Sequence, residues 1–379
     1  MTPPPPVPSF DALALIEPLR SALTALGHVT PTPIQAQALP LLLAGRDICG
    51  TAPTGSGKTA AFALPILQRL AATSTGAGSE GPIRALVLAP TRELAIQIDE
   101  AFGAYGQHLP SVRHAVVYGG MKPRAQRRAL EGGVDVLVAT PGRLIDLCAQ
   151  GVVSLGAVEC FVLDEADRML DLGFIQDVRA VIKKLPKARQ TALFSATLPK
   201  DIVELAGHIL KDPARVTVTP VKHTAEHIRQ IVLLVEKPDK RVALLRLLAG
   251  EGVTRVLVFI RTKHGADRLA AALVAAEIRA EAIHGDRPQF ERERALADFE
   301  QGVTRVLVAT DIAARGLHIE GVSHVVNYDV PSVPETYVHR IGRTARAGAA
   351  GEAITLCAKE EMAFLREIER VMGRKILGV

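Results

Sequence analysis

The sequence predicts an α/β fold built from two parallel-sheet domains in tandem. Three observations carry that prediction. The chain has 379 residues, more than a single hydrophobic core usually serves. Short Val, Leu and Ile runs alternate with helical stretches along its length. The runs are continuously apolar, which suits strands covered on both faces.

Taken in order, Met1–Pro8 is Pro-rich, with neither a basic start nor an apolar core, and residues 1–9 are expected to form a flexible leader. Asp47–Cys49 reads as a short strand and Ala60–Leu70 as the helix after it. Ala85–Ala89, Val134–Ala139, Glu159–Leu163 and Thr191–Phe194 read as further strands, with a helix at Arg92–Phe102. Thr73–Pro82, rich in Ser, Gly and Thr, is expected to be an exposed loop. The polar stretch Pro220–Arg229 places a linker at 220–228 between domains 10–219 and 229–379. The second domain repeats the pattern with strands at Val256–Ile260, Arg305–Ala309, His324–Asn327 and Ala353–Leu356. Helices follow at Gly265–Ala276 and Glu360–Met372. The halves echo each other: Val136-Leu137-Val138-Ala139-Thr140 returns as Val306-Leu307-Val308-Ala309-Thr310. Both strands end at an Ala-Thr corner, where α/β sheets carry ligand loops.

Composition narrows the function classes. A net charge of +5 is compatible with a polyanionic partner without requiring one. Aromatics are 4% and Trp is absent, which argues against base stacking on many aromatic side chains. Cys49, Cys148, Cys160 and Cys357 form no CxxC pair, so reduced core thiols are expected rather than a metal site or a disulfide framework. No apolar stretch reaches the length of a membrane span, and a cytoplasmic location is expected.

Ala52-Pro53-Thr54-Gly55-Ser56-Gly57-Lys58-Thr59 fits the phosphate-loop pattern with Ala at the first Gly. The glycines let successive N–H groups turn inward, and the following helix adds its positive end. Lys58 would neutralise ATP phosphates and the Thr59 hydroxyl would hold Mg²⁺. The apolar run Cys160–Leu163 leads straight into Asp164 and Glu165. A carboxylate there can anchor magnesium, and its neighbour can polarise the attacking water. Arg340, Arg343 and Arg346 fall three apart, which predicts a shared helical face. Such a face is either simply solvated or a source of charge for a γ-phosphate.

Asp164-Glu165-Ala166-Asp167 together with that loop resembles the DEAD-box RNA helicases, with a layout similar to the bacterial RhlE-like branch. The resemblance runs from about Phe10 to the last helix. It implies two RecA-like domains of the P-loop NTPase class in helicase superfamily 2. Phe10 and Gln35 would serve adenine recognition. Arg92, Gly120, Thr140, Gly142, Arg143, Arg292 and Thr310 would meet the RNA backbone. Asp167, Ser195, Thr197, Arg315, Gly316, His339 and Arg340 would couple the ligands, and Arg343 and Arg346 would act as arginine fingers. His318 stands where the family usually has an Asp toward the ribose, implying a weaker ribose contact. The implied activity is RNA-dependent ATP hydrolysis with local duplex opening. It would act on single-stranded RNA and short duplexes as a monomer, in settings such as ribosome assembly or RNA decay. Domain closure would complete the ATP site. The alternatives are an ATP-gated RNA clamp with low unwinding and a DNA-directed helicase; a small-molecule kinase would leave the second half unused.

Overall fold

Seven parallel strands form the first sheet of the computed structural model, which describes residues 9–53, 55–73, 81–218, 228–314, 321–344 and 351–378. They are β1 (Ile48–Thr51), β2 (Ala85–Leu88), β3 (His114–Val117), β4 (Val136–Ala139), β5 (Cys160–Leu163), β6 (Gln190–Ser195) and β7 (Ala214–Thr217). Their order is β3-β4-β2-β5-β6-β1-β7. The second sheet contains β8 (Ile228–Leu234), β9 (Val256–Phe259), β10 (Ala280–Ile283), β11 (Val306–Ala309), β12 (His324–Asn327), β13 (Gly351–Cys357) and β14 (Leu377–Gly378), ordered β10-β11-β9-β12-β13-β8-β14. The chain divides into two units, Met1–Pro220 and Val221–Val379. The expected leader and linker fall almost wholly on residues outside the described ones, as does most of the Thr73–Pro82 loop.

The continuous apolar runs are buried at every position in β2, β4, β5, β9 and β11, because helices cover both faces of each sheet. The sequence echo is a structural equivalence. β4 and β11 each lie second from their sheet edge, and each is followed by a threonine whose N–H donates to the neighbouring edge strand at 3.2 Å: Thr140 to Val117 and Thr310 to Ile283.

In the first unit the helix Lys58–Ala72 packs on the sheet through Phe62, whose ring lies 5.7 Å from Phe194 on β6 and 6.4 Å from Phe102. Gly50 on β1 makes this possible: a Cβ there would come within 2.7 Å of the Phe194 ring. Buried Asp47 fastens β1 further, accepting at 2.7 Å from both Thr191 N and Lys211 N.

Candidate active site

Every first-unit segment singled out in the sequence, apart from the Phe10 to Gln35 stretch, follows the carboxyl end of a strand. In a parallel sheet all those ends share one edge. The phosphate loop follows β1, Asp164 and Glu165 follow β5, and Ser195–Thr197 closes β6; these strands are contiguous in the order β5-β6-β1. Arg92 follows β2, Gly119–Gly120 follows β3 and Thr140–Arg143 follows β4, the contiguous trio β3-β4-β2. The edge therefore groups the segments expected to meet nucleotide on one half and those expected to meet RNA on the other.

The phosphate loop is stapled to β6 by Ala52 N–H, which donates to Ser195 O at 3.0 Å. Gly57 caps the helix Lys58–Ala72 with φ 88°, and a Cβ there would lie 2.4 Å from Gln35 Nε2. Both the backbone and the space demand glycine. Gly57→Ala is expected to cost roughly 1–3 kcal/mol of stability and to raise the KM for ATP about tenfold; steady-state kinetics and thermal unfolding check both. Lys58 is buried and donates from Nζ to Ala52 O at 3.0 Å, lying across the base of its own loop. Among the described residues, buried Ser56 Oγ has no hydrogen-bond partner, an orphan that fits a loop built to receive oxygen ligands. Thr54 lies outside the described residues.

Gln35 joins the segment expected to read adenine to this loop. Its Oε1 accepts from Thr32 N at 2.9 Å and its Nε2 donates to Gly57 O at 3.0 Å. Phe10 is 5% exposed and belongs to the same apolar cluster as Leu13 and Leu15, so it supports this segment from within the core.

Asp164 is 2% exposed and accepts from Glu165 N at 2.9 Å. Burial pushes its carboxyl up to about 6, against the opposing pull of Lys58. The pull of Lys58 places the loop lysine within electrostatic reach of the carboxylate. Between pH 4 and 6 the folded chain then holds a proton that the unfolded chain has released, so this group's contribution to stability is lost as pH rises through that window. Asp164→Asn is expected to raise the melting temperature of the nucleotide-free protein at pH 8. That gain should shrink toward pH 4, while hydrolysis is abolished. An unchanged or lowered melting temperature at pH 8 contradicts the account.

Glu165 adopts φ 50° and ψ 53°, a left-handed conformation that side chains rarely occupy, and it caps the helix Ala166–Asp171. Arg168, one turn on, donates from Nη1 to Glu165 Oε2 at 3.0 Å with both groups buried. The sequence reading missed Arg168 as the residue that orients Glu165; the i, i+3 spacing was the available signal. Asp167 ties the same helix to β6. Its Oδ2 accepts from Thr197 N and Thr197 Oγ1, each at 2.8 Å, and its own N–H donates to Ser195 Oγ at 3.1 Å. The expected set Asp167, Ser195 and Thr197 is thus one hydrogen-bonded unit.

On the other half of the edge, Arg92 opens the helix Arg92–Tyr105, where Thr91 Oγ1 accepts from Leu94 N at 3.4 Å. Gly120 has φ 90°, and a Cβ on it would stand 2.6 Å from Arg92 Nη1. Glycine here lets the guanidinium lie against the loop. Thr140 caps the helix Pro141–Ala149, and Gly142 and Arg143 form its first turn. Arg143 is half-buried, and its buried Nε has no hydrogen-bond partner among the described residues.

In the second unit, Arg292 is 8% exposed on the helix Gln289–Glu300, and Thr310 is 7% exposed after β11. Arg340 grips Asp311 with two hydrogen bonds, Nε to Oδ1 at 2.6 Å and Nη2 to Oδ2 at 2.8 Å. Its Nη1 also donates to Asn327 Oδ1 and Asp329 O, and its guanidinium lies 5.1 Å from the Phe259 ring centre. Arg340 therefore binds the Thr310–Asp311 corner to the helix Pro334–Ile341, which also carries half-buried His339. The expectation of one helical face for Arg340, Arg343 and Arg346 is corrected. The helix ends at Ile341, Gly342 occupies its C-cap, and Thr344 Oγ1 draws the chain away by donating to Val322 O at 2.6 Å. Arg343 sits in the turn beyond, 4% exposed. Arg315, Gly316, His318 and Arg346 lie outside the described residues.

Comparison with known proteins adds to this geometry. The DEAD/DEAH box helicase family matches residues 32–205, and the helicase conserved C-terminal domain matches 239–348. The DEAD-box ATP-dependent RNA helicase CshA of Geobacillus kaustophilus is 44% identical over 97% of this chain and 77% of its own length. The ATP-dependent RNA helicase RhlB of Xanthomonas axonopodis pv. citri is 45% identical over 97% of this chain and 65% of its own. Among solved structures, S. cerevisiae Dbp5 bound to RNA and ADP BeF3 superposes with a TM-score of 0.86 at 32% identity, covering 98% of this chain and 95% of that one. Mss116p bound to ssRNA and AMP-PNP gives 0.87 at 29%, covering 98% and 79%.

Proposed function

Because the chain belongs to the DEAD-box family of ATP-dependent RNA helicases, we propose that it hydrolyses ATP in response to RNA and uses the turnover to open short duplexes and remodel RNA–protein particles without sequence preference. The observation that carries this reading is the divided sheet edge: the expected nucleotide segments all follow β5-β6-β1 and the expected RNA segments all follow β3-β4-β2. Lys58 and the loop N–H groups neutralise the triphosphate, and Gln35 reads the adenine. Glu165, steered by Arg168, orients and deprotonates the attacking water. Arg343 and Arg346 of the second unit supply charge to the terminal phosphate. Arg92, Gly120, Thr140, Gly142, Arg143, Arg292 and Thr310 hold phosphates and 2′-hydroxyls.

The donor set fits magnesium: one buried carboxylate, Asp164, and one hydroxyl, Thr59, both hard oxygen ligands. Among the described residues no three His, Cys, Asp or Glu form a cage of their own, so the ion would be shared with the phosphates. There it would supply charge neutralisation. Placement in the RhlE-like branch rests on the layout of the segments, since these relatives carry other branch names. A cytoplasmic, monomeric protein in ribosome assembly or RNA decay completes the proposal. Among the described residues no helix is long and apolar enough to cross a membrane.

ATP turnover measured alone, with single- and double-stranded RNA and with DNA tests the proposal, together with release of a strand from a short duplex. Stimulation by RNA and strand release support it. Stimulation by DNA alone overturns it in favour of a DNA-directed motor. Tight RNA binding with an ATP analogue but no strand release marks a clamp.

A further inference from the structure

The helix Pro123–Leu130 has features that nothing within the fold explains. It leaves Arg124, Arg127 and Arg128 exposed, with Lys122 exposed at its N-cap. None of these four cations makes an ion pair or a side-chain hydrogen bond among the described residues. Some other exposed arginines find carboxylates, as Arg20 finds Glu17, Arg229 Glu352 and Arg370 Glu367. Arg127 and Arg128 suit the last turn, but the rest of the placement opposes helix formation. Lys122 and Arg124 sit at the positive end of the helix dipole, no acidic residue occupies the first turn, and Arg124 faces Arg127 and Arg128 at like-charge spacings.

The helix gains little from the core either. Its one buried described side chain is polar Gln126, 1% exposed. Gln126 Nε2 donates to Tyr118 O at 3.1 Å and to Met121 O at 3.4 Å, so it clamps both ends of the Gly119–Gly120 loop. At the far end Arg113 donates from Nη2 to Glu131 O at 2.8 Å. The helix is thus a rigid extension of the loop against which Arg92 lies.

We propose that the helix Pro123–Leu130 is a second phosphate-binding platform, on which Arg124, Arg127 and Arg128, with Lys122, take backbone phosphates of the RNA strand flanking the nucleotides held by the Gly119–Gly120 loop. This inference deepens the RNA reading given above and rests on it. The ligand class follows from chemistry: exposed, weakly hydrated guanidinium groups at i, i+3 and i+4 of one helix, unpaired among the described residues and continuous with the loop proposed to meet RNA. Binding there is sequence-independent and salt-sensitive.

The test compares the wild-type chain, R124Q/R127Q/R128Q and R124K/R127K/R128K. RNA affinity is measured in the presence of a non-hydrolysable ATP analogue. Two oligouridylates are used, one just filling the core site and one extending beyond it, over a range of salt concentrations. The Gln variant is expected to bind the long oligomer about tenfold more weakly at low salt. It should also lose about two units from the log K versus log salt slope, at ~0.7 per lost phosphate contact on a single strand. It should match wild type on the short oligomer and retain kcat for ATP at saturating RNA, and the Lys variant should restore most of the slope. A Gln variant equal to wild type on both oligomers overturns the inference, and a surface for an acidic protein would give that result. A wild-type chain that RNA neither binds nor stimulates overturns the RNA reading itself, and the platform with it.

Discussion

Arg343→Ala should bind ATP normally and lose RNA-stimulated hydrolysis by about 10³–10⁵-fold, the range that an arginine finger contributes to phosphoryl transfer. The expectation follows from division of labour. Lys58, Asp164 and Glu165 belong to the first unit and, in the proposed mechanism, would hold the triphosphate, while Arg343 belongs to the second and would bear on the charge that develops during transfer. Arg343 is 4% exposed and its N–H donates to Arg340 O at 3.1 Å, so its turn is fixed by the Arg340–Asp311 anchor. A backbone turn fixed this way helps preorganise the residue it carries, and preorganised groups act without reorganisation cost. The measurements are nucleotide binding by a fluorescent ATP analogue and single-turnover hydrolysis with saturating RNA. Because the site is buried, circular dichroism and Arg343→Lys accompany them. Lys keeps the charge but lacks the planar fork, and should recover only a small part of the rate. A folded Ala variant with normal turnover removes Arg343 from the reaction.

The second large effect is expected at Glu165. Glu165→Gln preserves size and can keep a hydrogen bond to Arg168, but it cannot take a proton from water. Turnover should fall by about 10²–10⁴-fold, the usual contribution of a positioned base. ATP and RNA should remain bound together, because binding depends on the loop and the backbone contacts. The distinguishing measurement is RNA retention: with ATP, the Gln variant should hold RNA much as wild type does with a non-hydrolysable analogue. Loss of RNA binding in step with turnover would show that Glu165 shapes the site rather than acts on water. The strained φ of 50° adds weight to a chemical role, since such backbone persists only where the surroundings enforce it.

Much of this site could be read from the chain itself. The phosphate loop and the Asp164-Glu165 pair were legible because each is local, a short run whose geometry its own residues dictate. Strands such as Ala85–Leu88 and Val306–Ala309 were legible because double-sided burial writes a continuous apolar run. The strands His114–Val117 and Ala214–Thr217 were not, since each lies at a sheet edge and alternates or exposes its side chains. Arg340 was legible as a cation but not as an anchor, because its partner Asp311 is 29 residues away. The extent of its helix was misjudged because the Gly342 stop was outweighed by the regular arginine spacing. Arg168 was overlooked because its effect passes through Glu165.

The ordering β4-β2-β5-β6 has a consequence for speed. β2 and β5 are hydrogen-bonded neighbours, with Leu88 in register with Leu163. Adjacent strands lie about 5 Å apart, so the residue that opens the RNA half and the acid that opens the nucleotide half emerge from touching rails. If the proposed roles hold, a strand bound at the first would stand one backbone rung from the acids at the second.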